Sequence, residues 1–549
     1  MKKIVFFLIF FASAAIGFGQ NTNQPEDIII KSSSRKASIK TGANGGLLVV
    51  VNSKDESKYK AQGFVTYNAF GAKGDGKADD IDAIAATHAY ANKKGLKVKA
   101  NSGATYYISG KKRTAVIHTD TDFGTASFII ADTAVKDRNA PIFLVNSQLR
   151  EFKPRAISSL KKNQPKIDAT FAESCLITVT DSNVKRYIRY GPNQNSGSSQ
   201  TDIFIVDKNG NVDMKAPIIW DFSQITNITA LPIDQKRLTI TGGRFTTIAN
   251  RDESKYNYYA RGIAITRSNV LVDGLEHRVV GEGVQGAPYG GFIDVEKCAN
   301  VTVKNAILTG HKIYNTIGSA GVPVSMGTYD ISVNRSLNVS FINCSQTNDI
   351  NDRSCWGILG SNFSKNLLYD GCKFSRFDAH MGVANATIRN SSLGHQGINA
   401  IGSGTFTVEN STIYGRNFIN LRDDYGSTWQ GEVVIRNCVF VPSGGKFVNA
   451  SLIGGSNSGQ HNFGYTCYMP EKITIENLRI DDSAHPQNYE GPTVFVNFNT
   501  KMTDSSYKEK YPYIITKKVI LNRVTTASGK QLRLSDNEFM FKNVKVERR

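Results

Sequence analysis

One phrase constrains this chain more than any other: an apolar residue, any residue, a second apolar residue, any residue, then Asn or Gly. It occurs as Leu238-Thr-Ile240 with Gly242, Val270-Leu-Val272 with Gly274, Val301-Thr-Val303 with Asn305 and Val339-Ser-Phe341 with Asn343. Leu367-Leu-Tyr369 with Gly371, Ala386-Thr-Ile388 with Asn390, Phe406-Thr-Val408 with Asn410, Val433-Val-Ile435 with Asn437 and Ile473-Thr-Ile475 with Asn477 continue it. Starts of successive copies lie 19 to 40 residues apart. Alternation at period two describes a short strand with one buried face. The Asn or Gly is what a left-handed backbone position admits at low cost. Strand, fixed turn and loop of variable length, repeated, predict the coils of a parallel β-helix with turn asparagines stacked from coil to coil. The expected fold class is all-β: a single-stranded, right-handed parallel β-helix with a short N-terminal capping helix. A β-sandwich predicts hairpins with primed-turn dipeptides at steady short spacing, and those are sparse.

The repeat changes the meaning of the length. At about 150 residues per domain, 549 residues would suggest several domains, whereas a solenoid of this size is one elongated body. The expected organisation is a signal peptide over 1–19, an N-terminal leader over 20–60, and a β-helix domain over 61–549, with its cap at 61–110 and further coils at the C-terminus. The signal rests on Lys2-Lys3, the apolar run from Ile4 to about Phe18, and Gly17 and Gly19. That run is shorter than the ~20 residues a membrane span needs, so no membrane anchor is expected. Export predicts a secreted or periplasmic protein.

Lys and Arg number 66 against 47 Asp and Glu, a formal charge of +19. In an exported protein that surplus favours an anionic polymer other than nucleic acid, and the expected partner is an acidic polysaccharide. Oligomeric state is not readable. The seven cysteines form no zinc-type spacing. Cys344, Cys372 and Cys438 each follow a turn residue, which predicts interior packing.

Residues 64–84, Phe-Val-Thr-Tyr-Asn-Ala-Phe70-Gly71-Ala72-Lys73-Gly74-Asp75-Gly76-Lys77-Ala78-Asp79-Asp80-Ile81-Asp82-Ala83-Ile84, form a glycine-rich loop leading into a helix that runs to Lys94-Gly95. Asp79 or Asp80 is expected to cap that helix. The phrase resembles the FGAxGDGxxDDxxAI opening of the pectate-lyase-like superfamily of secreted β-helix proteins, a group of polysaccharide lyases, polygalacturonase-like hydrolases and phage tailspikes. The resemblance implies a cap and first coil, a structural role for Asp75, Asp79 and Asp80, and carbohydrate chemistry. It does not choose among those activities, because one fold hosts them all.

Chemistry is expected between 311 and 429. Polar residues recur five to seven positions beyond consecutive turn residues, at His311, Asp349, Asp378, His395 and Arg416. Similar offsets in coils about 4.8 Å apart would stack them in one column. Arg376, His380, Arg422, Asp423, Asp424, Tyr425 and Trp429 surround it in sequence. The leading reading is β-elimination at a uronate. Arg416 or Arg422 would neutralise the carboxylate, His395 or His380 would remove the C5 proton, and Tyr425 is an alternative acid or base. The candidate catalytic set is therefore His395, Arg416, Asp378, His380, Arg422 and Tyr425, with His311, Asp349, Arg376, Trp356 and Trp429 as substrate-binding residues. Hydrolysis is the alternative, using Asp349 with Asp378 or Asp378 with Asp423. A non-catalytic glycan-binding or tailspike-like protein is the second alternative. No cofactor is required by either chemistry; Asp423 and Asp424 are the candidate ligands should a calcium ion take part. Gly394-His395-Gln396-Gly397 is similar to the Gly-His-Gly phrase of polygalacturonases, but the adjacent Asp pair and the Arg-x-Lys of that family are missing.

Overall fold

The computed structural model describes residues 28–34, 38–42, 46–155, 157–283, 285–442 and 450–549. The expected signal peptide lies outside them. Strands dominate, and the described residues contain three α-helices: Ser53–Gln62, Ile81–Lys94 and Glu538–Phe541.

All nine copies of the repeated phrase sit on one ladder of parallel strands in a single register. Leu238 pairs with Val270, Val270 with Val301, Val301 with Val339 and Val339 with Leu367. Leu367 pairs with Ala386, Ala386 with Phe406, Phe406 with Val433 and Val433 with Ile473. The ladder runs on through Val519 to Val546. A second ladder passes through Glu276, Ile307, Ser345, Lys373, Ser392, Thr412 and Val439. A third begins Phe143, Ile263, Ile293, Ile331 and Leu359, and resumes at Ala379, Ala400 and Leu421. Each coil of chain thus contributes a strand to three parallel ladders around one continuous core.

The turn residues behave as their chemistry requires. Asn305, Asn343, Asn390, Asn410, Asn437 and Asn477 all have φ between 49° and 53°. Their amides bond along the axis: Asn410 Nδ2 to Asn390 Oδ1 (3.3 Å), Asn437 to Asn410 (3.2 Å) and Asn477 to Asn437 (3.0 Å). Another asparagine ladder, Asn300, Asn338, Asn366 and Asn385, runs at a different corner. Gly371 replaces Asn in the first ladder, at φ 67°, where a Cβ would strike the Asn343 amide. Cys344, Cys372 and Cys438 are buried beside these turns, and all seven cysteines are free thiols.

The N-terminal end is closed by more than the expected helix. Within the expected leader, Ile28–Ser33, Ser38–Thr41 and Leu47–Asn52 form a small sheet, and Leu47, Val49 and Val51 join the core. The helix Ile81–Lys94 packs Ile81, Ile84 and Ala85 inward and ends at Gly95 in the left-handed region. Asp80 occupies its N-cap position, yet its carboxylate turns back to accept from Lys73 N (2.6 Å) and Gly74 N (3.0 Å). Asp75 accepts from Lys77 N and Ala78 N, and Asp79 from Ser109, so all three acids hold backbone.

One feature has no counterpart in the expected fold. Between Phe143–Asn146 and Leu238–Ile248 the chain leaves the coils and forms an antiparallel sheet of Cys175–Arg186, Ser198–Val206 and Asn227–Pro232 with its own core. This insertion packs along the coils: Leu176, Ile203 and Ala216 meet Ala299 and Leu337. A fully buried ion pair, Lys365 Nζ to Asp202 (2.7 Å), ties it down.

Candidate active site

The site grows from the third ladder. In strand Lys373–Arg389, Phe377 and Ala379 point into the core, so Arg376, Asp378 and His380 take the opposite face by period-two alternation. One coil on, Asp378 pairs with Asn399, and the next rung is Asn420, followed by Leu421 in the core and Arg422.

These side chains make a chain of alternating charge. Arg376 Nη2 lies 2.8 Å from Asp378 Oδ2, and Asp378 Oδ1 is 3.9 Å from Arg422 Nη1. Arg422 grips Asp424 with two bonds, Nε to Oδ1 (3.1 Å) and Nη2 to Oδ2 (2.6 Å). Arg189, from the insertion, closes on the same carboxylate at 2.8 Å through Nε. Burial alone would raise the Asp424 carboxyl; Arg422 and Arg189 outweigh it and hold the group down at about 2. Asp378 Oδ1 and Arg376 Nε find no hydrogen-bond partner among the described residues. Groups of this kind are costly to bury unless a further polar group meets them.

His380 stands at the edge of this network. Asn362 Nδ2 donates to Asn334 Oδ1 (2.9 Å), and Asn334 Nδ2 donates to Ser332 Oγ (2.9 Å). That direction leaves Asn362 Oδ1 as an acceptor, and His380 Nδ1 sits 2.8 Å from it. The network therefore assigns the proton to Nδ1 and the lone pair to Nε2. Burial, and then the positive charges of Arg422 and Arg189, push the imidazole well below its ordinary range. His380 is a neutral ring whose lone pair lies on Nε2. Tyr425 packs against it, ring centroids 5.6 Å apart, with Arg189 and Arg422 stationed over the tyrosine ring at 5.3 and 5.4 Å. Burial raises the Tyr425 phenol, so it keeps its proton.

The insertion supplies the far wall through its hairpin loop. Tyr190 N donates to Asp424 O (3.0 Å) and Ile188 N to Phe463 O (3.0 Å). Tyr256 Oη donates to Asn193 Oδ1 (2.8 Å), and Ser319 Oγ to Gln194 O (2.8 Å). The loop is thus pinned to coil segments on both sides of the His380 rung.

Of the expected residues, the structure brings together Arg376, Asp378, His380, Arg422, Asp424 and Tyr425, with Trp356 under the Arg376 guanidinium at 4.7 Å. The others go elsewhere. His395 is not a free base: Nδ1 bonds Ile350 O (3.2 Å) and Nε2 meets the Gln396 amide (3.1 Å). Asp349 is exposed and caps a turn at Asn351 N, and Arg416 lies exposed beyond Gly415. Trp429 is a core residue, fully buried, with its indole N–H on Gly404 O and its ring against Phe406. The expected column fails because bulges shift the register between Phe374 and Arg376 and between Ala379 and Val383, so equal offsets do not stack.

His311 belongs to a separate buried network. Its Nε2 is 3.0 Å from Asp330 Oδ1 and its Nδ1 3.1 Å from Glu282, while His277 Nδ1 contacts both Asp330 oxygens, Oδ1 at 2.8 Å and Oδ2 at 2.9 Å. Burial opposes its protonation, but Asp330 and Glu282 raise it to about 9, so it is an imidazolium locked in place and not a substrate ligand. The calcium expectation does not fit either. Both Asp424 oxygens are taken by guanidinium groups, and among the described residues no three His, Cys, Asp or Glu side chains converge as a metal site.

Sequence reasoning missed Arg189 and Asn362. Arg189 lies 235 residues from its partner Asp424, in a segment with no repeat, and its one signal is the dense Arg186-Tyr-Ile-Arg189-Tyr190 phrase.

No family model matches the chain, and no curated protein matches it. Similar folds occur among solved structures. The tailspike of Pseudomonas phage phi297 is 13% identical at a TM-score of 0.45, covering 84% of this chain and 80% of that one. A mannuronan C-5 epimerase module from Azotobacter vinelandii is 10% identical at 0.40, covering 88% and 97%. A hyperthermoactive exopolygalacturonase from Thermotoga maritima is 10% identical at 0.38, covering 86% and 91%. All three are parallel β-helix proteins. The chemistry of this chain rests on the side chains around His380.

Proposed function

We propose that this chain is an exported enzyme, built on a right-handed single-stranded β-helix, that cleaves an acidic, uronate-containing polysaccharide by β-elimination. The observation that carries the reading is the His380–Asn362 bond beside the Arg189–Arg422 pair: a neutral base with its lone pair on Nε2, next to positive charge.

Elimination needs those two functions together. Charge develops on the uronate carboxylate as the C5 proton leaves, and a preorganised guanidinium stabilises it most. Arg422 has its Nε and Nη2 committed to Asp424, which fixes its plane; its Nη1 lies 3.9 Å from Asp378 Oδ1, beyond hydrogen-bond length, and would turn to a substrate carboxylate. His380 Nε2 takes the C5 proton. The C5 electrons form the C4–C5 double bond, the C4–O4 bond breaks, and the leaving oxygen takes the Tyr425 phenolic proton. A bound carboxylate also offsets the positive field on His380, so the base strengthens as substrate arrives. The +19 charge suits a polyanion lying along the coils.

Hydrolysis is less well served. Its expected acids are Asp349, Asp378 and Asp423: Asp349 is spent on a turn, and Asp378, common to the second pairing as well, is ion-paired with Arg376 at 2.8 Å, and an ion-paired carboxylate is a poor general acid. The test is a panel of acidic polysaccharides followed in the ultraviolet band of unsaturated uronates. Chain shortening with growth of that band supports elimination, and shortening without it overturns elimination in favour of hydrolysis.

A further inference from the structure

Between the insertion and the coils lies a half-open cavity of about 260 Å³, walled by Lys162, Arg186 and Trp220 on one side and by Ser403, Gln430 and Tyr465 on the other. We propose that this seam cavity is a second carbohydrate site that binds a single hexuronate ring. The proposal takes its ligand class from the uronan reading above, but stands on its own geometry.

Size comes first. Sites for larger ligands run from roughly 300 to 1,000 Å³, so this space suits one ring and not an oligomer. The walls match such a ring in chemistry. Trp220 and Tyr465 meet at a tilt, centroids 6.4 Å apart, and present apolar area with polar edges. Ser403, Thr428 and Gln430 line the coil side with hydroxyl and amide groups. Two cations, Lys162 and Arg186, face one acid, Asp221, which favours an anionic occupant. Arg186 is held in position: its guanidinium lies 4.6 Å over Trp220, and Nε and Nη2 both donate to Gln200 Oε1 at 2.9 and 2.7 Å. Lys162 reaches the opposite wall at Gln430 Oε1, 3.3 Å away, so a carboxylate there would join the two halves.

The cavity shares a wall with the candidate active site. Tyr187 and Tyr465 line it, their rings 4.9 Å apart, and Tyr465 Oη donates to Tyr425 O at 2.6 Å. An occupant would therefore brace the residues that position Tyr425.

Tryptophan emission of the full chain tests this. Trp429 is locked in the core, and the titration is run in a Trp356→Phe background so that the ring under Arg376 in the candidate active site is silent, leaving Trp220 as the reporter in the cavity. Titration with monomeric glucuronate is expected to give a saturable change with a Kd on the order of 1 mM, and glucose a response roughly tenfold weaker. Trp220→Phe should abolish the change, and Lys162→Ala, an exposed side chain whose loss leaves the fold intact, should weaken binding about tenfold. A short oligouronide is the second arm: tighter binding than the monomer identifies a chain end as the occupant, equal binding a free sugar. No saturable change in the Trp356→Phe protein, a change that survives Trp220→Phe, or equal affinity for glucose and glucuronate overturns the proposal. Because the monomer has no bond to cleave, this readout can fail or succeed independently of elimination at His380.

Discussion

His380 Nδ1 and Asn362 Oδ1 are 2.8 Å apart, and the donor direction of the Asn362–Asn334–Ser332 chain fixes which imidazole nitrogen is basic. Asn362→Leu removes the acceptor and frees the tautomer. A positioning role predicts a fall in kcat of roughly 10–100-fold with KM little changed, less than the loss for His380→Ala, since orienting groups contribute less than the base itself. Steady-state kinetics on both variants check the order; equal activity for Asn362→Leu and wild type would remove Asn362 from the account.

Arg189 acts on His380 through charge. Activity requires the neutral imidazole, so the rate falls as pH drops through the His380 pKa. That pKa is depressed by burial and then by Arg422 and Arg189. Taking away a neighbouring positive charge raises it, so Arg189→Ala should move the acid limb of the kcat profile to higher pH, while Arg189→Lys should leave it near the wild-type position. A limb that stays in place for Arg189→Ala contradicts the coupling.

The His311 network predicts alkaline sensitivity of the fold. Its folded pKa, about 9, lies above the ordinary value of 6.5, so its stabilisation is complete below that value and lost as pH rises to 9. The loss is on the order of 3 kcal/mol, because one pKa unit is about 1.4 kcal/mol. Thermal unfolding across this range should show a falling Tm in the wild type, and a much flatter dependence in His311→Gln.

The asparagine ladder makes a local prediction. Asn390 sits at φ 52° and bonds Asp370 and Asn410. Asn390→Ala should cost about 2 kcal/mol, from roughly 1 kcal/mol of left-handed strain and about 1 kcal/mol of lost hydrogen bonding. Asn390→Gly should recover the first part, and denaturant unfolding separates the two.

Lys365 and Asp202 test how the insertion is held. Lys365→Met leaves a buried carboxylate unpaired, which costs about 3–5 kcal/mol. Faster proteolytic cleavage within 147–235, with the coils still intact, is the expected outcome.

The coils were legible because a strand face and a left-handed turn each leave a residue-type signature; Leu238 through Ile473 lie in the very register the phrase implies. Arg376, Asp378, His380 and Arg422 were legible as polar residues crowded near that repeat. Offsets along the sequence misplaced His395 and Arg416, because bulges decouple spacing from position in space. Arg189 and the insertion were illegible for a different reason: antiparallel pairing and docking across hundreds of residues leave no period.

The most direct test of the central claim is a uronan time course for wild type and His380→Ala, read together in the unsaturated-uronate band and by binding to the same polymer. The account predicts a growing band for wild type, a rate lower by roughly 10²–10⁴-fold for His380→Ala, and polymer binding within a factor of about three of wild type. Undiminished growth of the band in His380→Ala would contradict it.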